Sequence, residues 1–251
     1  MNAPTTRSEP ARVPVEPPAD NGAPGRTADR GRTFTRAEIA FLIGVPLAWA
    51  VLLLFHPGGD GKDVYLDLRD EVTPWLVVHI GQMVFIPLMV LAFELLLRGV
   101  PGAAARVSRI AIIVFGVFYT AFELLQGIGN GILVHAVNGL PQSEQATGAG
   151  LVQDYAENVL VRDFGVFVSI GSLALVTAAI AAGIALYREA GAPPSVPVLL
   201  VLAAFLITAH PPPYGPTGLA IFIVAVLLFR RSQSSRQRRS AVRARPDPAS
   251  S

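Results

Sequence analysis

The chain predicts an all-α fold, a polytopic membrane helix bundle of six transmembrane helices, on three observations. Hydrophobic residues make up 52% of the 251 positions and charged residues only 15%, too few polar groups to cover a water-soluble body of this size. The charge is also segregated: residues 1–35 and 230–251 hold 17 of the 38 Asp, Glu, Lys and Arg residues, while the 194 positions between them hold 21. Within that middle, apolar runs recur near the length of about 17–25 residues that a helix needs to cross hydrocarbon at about 1.5 Å per residue.

Residues 1–35 interleave Pro, Ala, Gly, Thr and Arg without an apolar run. They cannot offset the entropy of ordering, so they read as a disordered cytoplasmic arm with no cleavable signal segment. The first span covers Ile39 to Phe55, started by a Thr35 and Glu38 capping box and stopped by His56-Pro57-Gly58-Gly59. The second, Trp75 to Leu97, opens after Thr73-Pro74 and closes at Arg98-Gly99. At its inner end Glu94 and Arg98 have the spacing of an i,i+4 ion pair. The third runs from about Ile110 to Gly127 or on beyond Asn130, since its apolar character thins through Gly127, Gly129 and Gly131, which loosen the end of the helix.

The connection 132–162 carries an amphipathic stretch from Leu151 to Leu160, with Val152, Tyr155 and Val159 on one face, which predicts a surface helix lidding the bundle. Phe164 to Leu186 is the fourth span, with Ala178, Ala182, Ala179 and Gly183 forming small-residue faces for close packing. Val196 to Ala209 and Thr217 to Phe229 are short, at 14 and 13 residues. They read as two tilted spans or as one re-entrant hairpin. The domain plan is therefore an arm, 1–35, a transmembrane domain, 36–229, and a basic disordered tail, 230–251.

Charge sets the direction. Lys and Arg collect on the cytoplasmic side of short loops. With the N-terminus inside, 17 of the 20 Lys and Arg residues fall inside and 3, Lys62, Arg69 and Arg162, fall outside. An even number of spans and two cytoplasmic termini in the cell membrane follow. The expected partners are the bilayer itself and anionic lipid headgroups, which the seven arginines from Arg230 to Arg245 would hold at about 1 kcal/mol each. No nucleic-acid partner is expected, because no aromatic residue interleaves those arginines. The absence of cysteine excludes disulfides, thiolate metal sites, a Cys nucleophile and c-type haem attachment.

Polar groups inside spans point to function because they cost several kcal/mol by most scales. Tyr119, Glu123, Gln126 and Asn130 follow at spacings of four, three and four, which places them on one helical stripe. His79 and Gln82 lie on the preceding span, and the proposed directions bring His79 to the depth of Glu123. These six residues predict an outward-facing polar pocket of a small-solute or proton binding or transport-type bundle. An alternative makes the protein a metal- or haem-binding membrane enzyme. All four histidines lie toward the outer face, so His56, His79, Glu123, His135, Asp163 and His210 form its ligand set. A third reading is a structural or partner-binding protein in which the polar groups only join helices.

Overall fold

The computed structural model describes residues 34–58 and 62–243. The expected N-terminal arm, save its last two residues, and positions 244–251 lie outside them. The described residues are helical with no strand. Helix α1, Arg36–Leu53, starts at the expected capping box: the Thr35 side chain accepts from the Glu38 N–H, and the Glu38 carboxylate accepts from the Thr35 N–H. A short helix, α2, Val64–Leu68, precedes α3, Val72–Leu97. The next helix is continuous from Ala103 to Asn138. It comprises α4, Ala103–Phe122, a π-helical segment, Glu123–Gly129, and α5, Asn130–Asn138. Then come α6, Gln142–Ala156, α7, Val166–Glu189, α8, Ser195–Thr208, and α9, Tyr214–Arg243.

Five of these helices are long and apolar enough to cross a membrane, and α8 is a shorter apolar helix. Their outward surfaces are apolar too. Val51, Val77, Val84, Ile113, Val117 and Leu173 are each roughly half-exposed or more on spanning helices, a pattern suited to lipid and costly in water. The long helices and α8 pack in a ring that follows chain order, α1 on α3, α3 on α4, α4 on α7, α7 on α8 and α8 on α9, and α9 returns to α1. Ring closure brings the C-terminal end of α1 beside the α8–α9 turn, which sequence distance alone hides. The α4–α7 seam is the most extensive contact. Ala178, Ala179, Ala182 and Gly183 of α7 are buried as the small-residue faces require. Ser108 of α4 donates to the Ala178 carbonyl at 2.8 Å across that seam.

The structure corrects several boundaries. Of the two readings of the third span, the longer one, past Asn130, is the one found. It continues through the π segment to Asn138, because side chains from other helices take up the carbonyls that the wider turn frees: Trp75 Nε1 donates to Gly127 O at 2.5 Å, and the Tyr155 hydroxyl donates to Leu125 O at 2.9 Å. The surface helix starts earlier than Leu151 and stops at Ala156, so Val159 and Leu160 lie beyond it. With α2 it covers the histidine-bearing end, where Tyr65, Leu68, Val134, Val137 and Val152 form a second small core. Residues 230–243, expected as disordered tail, are the last turns of α9. Gln233 Nε2 holds them to the bundle by donating to Ala190 O at 2.7 Å. Tyr214–Arg239 of α9 is long and apolar enough to cross a membrane, whereas α8 is a shorter apolar helix.

Glu94 and Arg98 do not pair. Glu94 meets Arg109 at 3.4 Å, and Arg98 turns to Glu38. Arg98 ends α3 in an extended conformation, ψ 126°, which breaks the helical i,i+4 geometry. Arg109 also donates to Leu97 O at 2.6 Å and so caps the C-terminal carbonyls of α3.

Candidate metal centre

Polar side chains gather at one end of the ring. Among the described residues the buried polar or charged ones are His79, Gln82, Ser108, Glu123, Asn130 and Gln233. Four of the six belong to the third and fourth helices near the π segment. Glu123 opens that segment and is fully buried. Gln82 Nε2 donates to its Oε2 at 2.9 Å, which fixes the carboxylate, while Oε1 has no hydrogen-bond partner. His79 Nε2 stands 3.7 Å from Oε2. His210 Nδ1 stands 4.0 Å from Oε1.

The two histidines beside this carboxylate meet a third, His56, so that three imidazoles from three parts of the chain converge. His56, His79 and His210 can each offer one ring nitrogen such that all three lie within 4.8 Å of one another. Nitrogens on one ion at about 2.0–2.1 Å lie roughly 3.3 Å apart, so rotation of the side chains closes the difference. The tautomers suit ligation. His79 Nδ1 donates to Trp75 O at 2.8 Å and His56 Nδ1 to Pro57 O at 2.7 Å. A carbonyl bound on Nδ1 leaves the lone pair on Nε2, and a ligating histidine is ordinarily oriented in this way. Both Nε2 atoms are buried without a partner. His210 faces the cluster through Nδ1, 3.2 Å from the Tyr119 hydroxyl, which lies equally far from Thr208 O. The hydroxyl has one proton. Placed on Thr208 O, it leaves the His210 lone pair for a ligand.

Local sequence explains the convergence. His56 and His210 each precede proline just after a helix stops. Helix α8 ends at Thr208, so the chain turns inside the bundle at the depth of Tyr119 and carries His210 inward. Gly127 gives His79 its place, because a Cβ there would overlap the His79 ring. Burial holds both His56 and His210 below the usual histidine range, reinforced at His210 by the neighbouring His56 and His79. Both shifts favour the neutral ring, the form that binds metal.

The expected set is therefore divided. His79, Gln82, Tyr119 and Glu123 join His56 and His210 in one cluster. Gln126 and Asn130 line an adjoining cavity of about 550 Å³, with Asp163 and Asp67 also on its wall. His135 is exposed on α5 and takes no part, because the π segment carries α5 past the cluster. The ring centroids of His56 with His79 and of His56 with His210 are 5.0 Å apart, and those of His79 with His210 are 6.0 Å apart. Rings in such contact leave no slot for a porphyrin between any two of them, so a bis-histidine haem does not fit. His56 and His210 line the cavity as well as the cluster, whereas His79 and Glu123 stand behind them. Trp75, absent from the predicted set, supplies both the carbonyl that orients His79 and the indole bound to Gly127. The i,i+4 relation of Trp75 to His79 was readable, but its tie to Gly127 needed the π segment.

No protein-family model, curated protein or solved structure matches this chain.

Proposed function

We propose that this chain is a multi-pass protein of the cell membrane, with both termini cytoplasmic, that holds a divalent transition-metal ion at its outer end. His56, His79 and His210 are the ligands, and Glu123 is the fourth or the carboxylate beside it. The observation that carries this reading is the convergence of three histidines from three separate elements within 4.8 Å, two of them with Nε2 buried and unpartnered. Imidazole and carboxylate without thiolate favour Zn²⁺ and its first-row neighbours over Cu⁺. Two ligands face the cavity, so the ion is open to a solute on that side.

A metal centre accounts for the cluster better than a transport path does. Inward of Gln82 and Glu123 the bundle is filled by Ile86, Met89, Phe93, Phe115 and Phe222, all essentially buried, with Phe93 and Phe222 stacked at 5.6 Å. These residues offer no polar steps for a solute or proton to cross. The pocket of the first reading survives as the blind cavity that Gln126 and Asn130 line.

The test is metal analysis of the full chain purified in detergent. One Zn²⁺ per chain is expected, with Co²⁺ giving the intense visible bands of a tetrahedral site. Loss of both in His56→Ala and His210→Ala would complete the assignment, and a metal-free wild type that takes up neither ion would overturn it. For orientation, membrane-impermeant reagents are expected to reach a tag after Pro141 in intact cells and not one after Ala190. Reversed labelling would turn the site to the cytoplasm.

A further inference from the structure

The cavity beside the histidines gathers the parts of a hydrolytic site. His56 and His210 line it, whereas His79 and Glu123 do not, so an ion among them has its exchangeable position on the cavity side. Zinc held by three histidines brings the ionisation of a bound water to about pH 7. Asp163 stands on the same wall. It lies in the turn between α6 and α7, open to the cavity, and is near enough to act electrostatically on Glu123 and Tyr119. Partial burial raises its carboxyl from the usual value, which suits a group that takes up a proton and gives it back. Phe164 beside it has a left-handed backbone, φ 60°, a strained conformation for a residue with a Cβ. That turn sets both residues on the cavity wall.

The other walls describe the substrate. Ser169 and Ser172, three apart on α7, bring two hydroxyl donors to the cavity, the groups that hold a carbonyl oxygen. Leu68, Phe122, Phe164 and Val168 form an apolar face for a chain. The volume of about 550 Å³ fits a small-molecule site. Phosphoryl transfer ordinarily relies on paired metal ions or on Arg and Lys clamps. A single ion, with no Arg or Lys among the described lining residues, fits acyl transfer better.

Resting on the metal reading above, we infer that the protein hydrolyses the carboxylic ester of an amphiphile in this cavity, with Asp163 as the proton-transfer residue. The chain of the substrate lies along the apolar face, and its carbonyl oxygen meets the ion and the α7 hydroxyls. Asp163 takes a proton from the water on the ion, and the hydroxide so formed attacks the acyl carbon. The bond from that carbon to the alcohol oxygen then breaks. Asp163 returns the proton to the departing alkoxide, and the products are a carboxylic acid and an alcohol. Water is the one co-reactant.

The experiment uses the full chain in nanodiscs of a diether phosphatidylcholine, loaded with Zn²⁺, and follows release of 4-methylumbelliferone from its octanoate, acetate and phosphate esters. The octanoate is expected to be cleaved about 100-fold faster or more than by the zinc-free chain, with kcat/KM about tenfold or more above the acetate. Asp163→Asn is expected to keep one Zn²⁺ per chain and to lose about 100-fold or more in kcat. Octanohydroxamate, which chelates an open metal, is expected to inhibit the wild type and to shift the visible bands of its Co²⁺ form, a readout that needs no turnover. The inference fails, and the metal centre stands, if the zinc-loaded wild type cleaves no carboxylic ester, prefers the phosphate or treats octanoate and acetate alike. It fails in the same way if the hydroxamate leaves the cobalt bands unmoved or if Asp163→Asn keeps full activity. A wild type that takes up neither Zn²⁺ nor Co²⁺ overturns the metal centre itself. The wild-type measurements stand even if the variant does not fold.

Discussion

The two ends of this bundle solve the problem of buried polarity in opposite ways. At the arginine-bearing end two charges are met near the surface: Arg98 by Glu38, and Arg109 by Glu94 and the Leu97 carbonyl. The helices between are closed by Phe, Leu, Met and Ala. At the histidine-bearing end the polar groups are buried deeper and left partly unmet, at His56 Nε2, His79 Nε2, Gln82 Oε1, Glu123 Oε1 and both polar atoms of Asn130. Six buried polar atoms left open at one end, against paired charges at the other, suit that end to a ligand. The proposed metal centre rests on this contrast.

That contrast can be broken most forcefully at His79. His79→Ala is expected to weaken Zn²⁺ binding at least 100-fold, read by competition with a chromophoric chelator, since it removes a ligand outright. Glu123→Gln is expected to cost about 10–100-fold in the same assay and to leave membrane insertion intact. An affinity unchanged in both would dissolve the difference between the ends. Gly127→Ala pushes a methyl group into the His79 ring, so a loss of about 1–3 kcal/mol in stability should come with weakened zinc binding. Arg109→Leu sharpens the comparison from the other side. Its ion pair with Glu94 is partly solvated, so a cost of about 0.5–1.5 kcal/mol with unchanged zinc affinity is expected.

The smallest effect is a pH dependence of the metal-free protein. Burial lowers the folded-state values of His56 and His210, so between those values and about pH 6.5 the unfolded chain binds more protons than the folded one. Stability therefore rises with pH in that window. Thermal melts of the metal-free chain should show a lower Tm at pH 5 than at pH 7.5. An equal or higher Tm at pH 5 would mean that these rings are not held neutral by burial.

The helices were readable because their signals are local. The Thr35 capping box, the prolines after His56 and His210 and the small residues of α7 act within a few positions of themselves. The pairing of His79 with Glu123 was readable as well, from matched depth on consecutive antiparallel helices. What escaped depends on distant partners or on a changed helical pitch. The stripe Tyr119, Glu123, Gln126, Asn130 was one face of a regular helix in the sequence, but the π turn divides its work between the cluster and the cavity. His135 was grouped with the other histidines in the sequence and yet is exposed on α5, a matter of rotation that residue counting does not fix. Glu94 and Arg98 took partners from α4 and α1 because the helix between them ends.

The ring closes only when α9 meets α1, and the ion's proposed ligands are spread from His56, just past the first helix, to His210, just before the last. During synthesis the chelating set is thus incomplete until nearly every crossing has entered the bilayer. Metal capture would then report finished assembly: a chain stopped before its final hairpin has the first two imidazoles but not the third, and a bound ion fastens the earliest inserted part of the polypeptide to the latest.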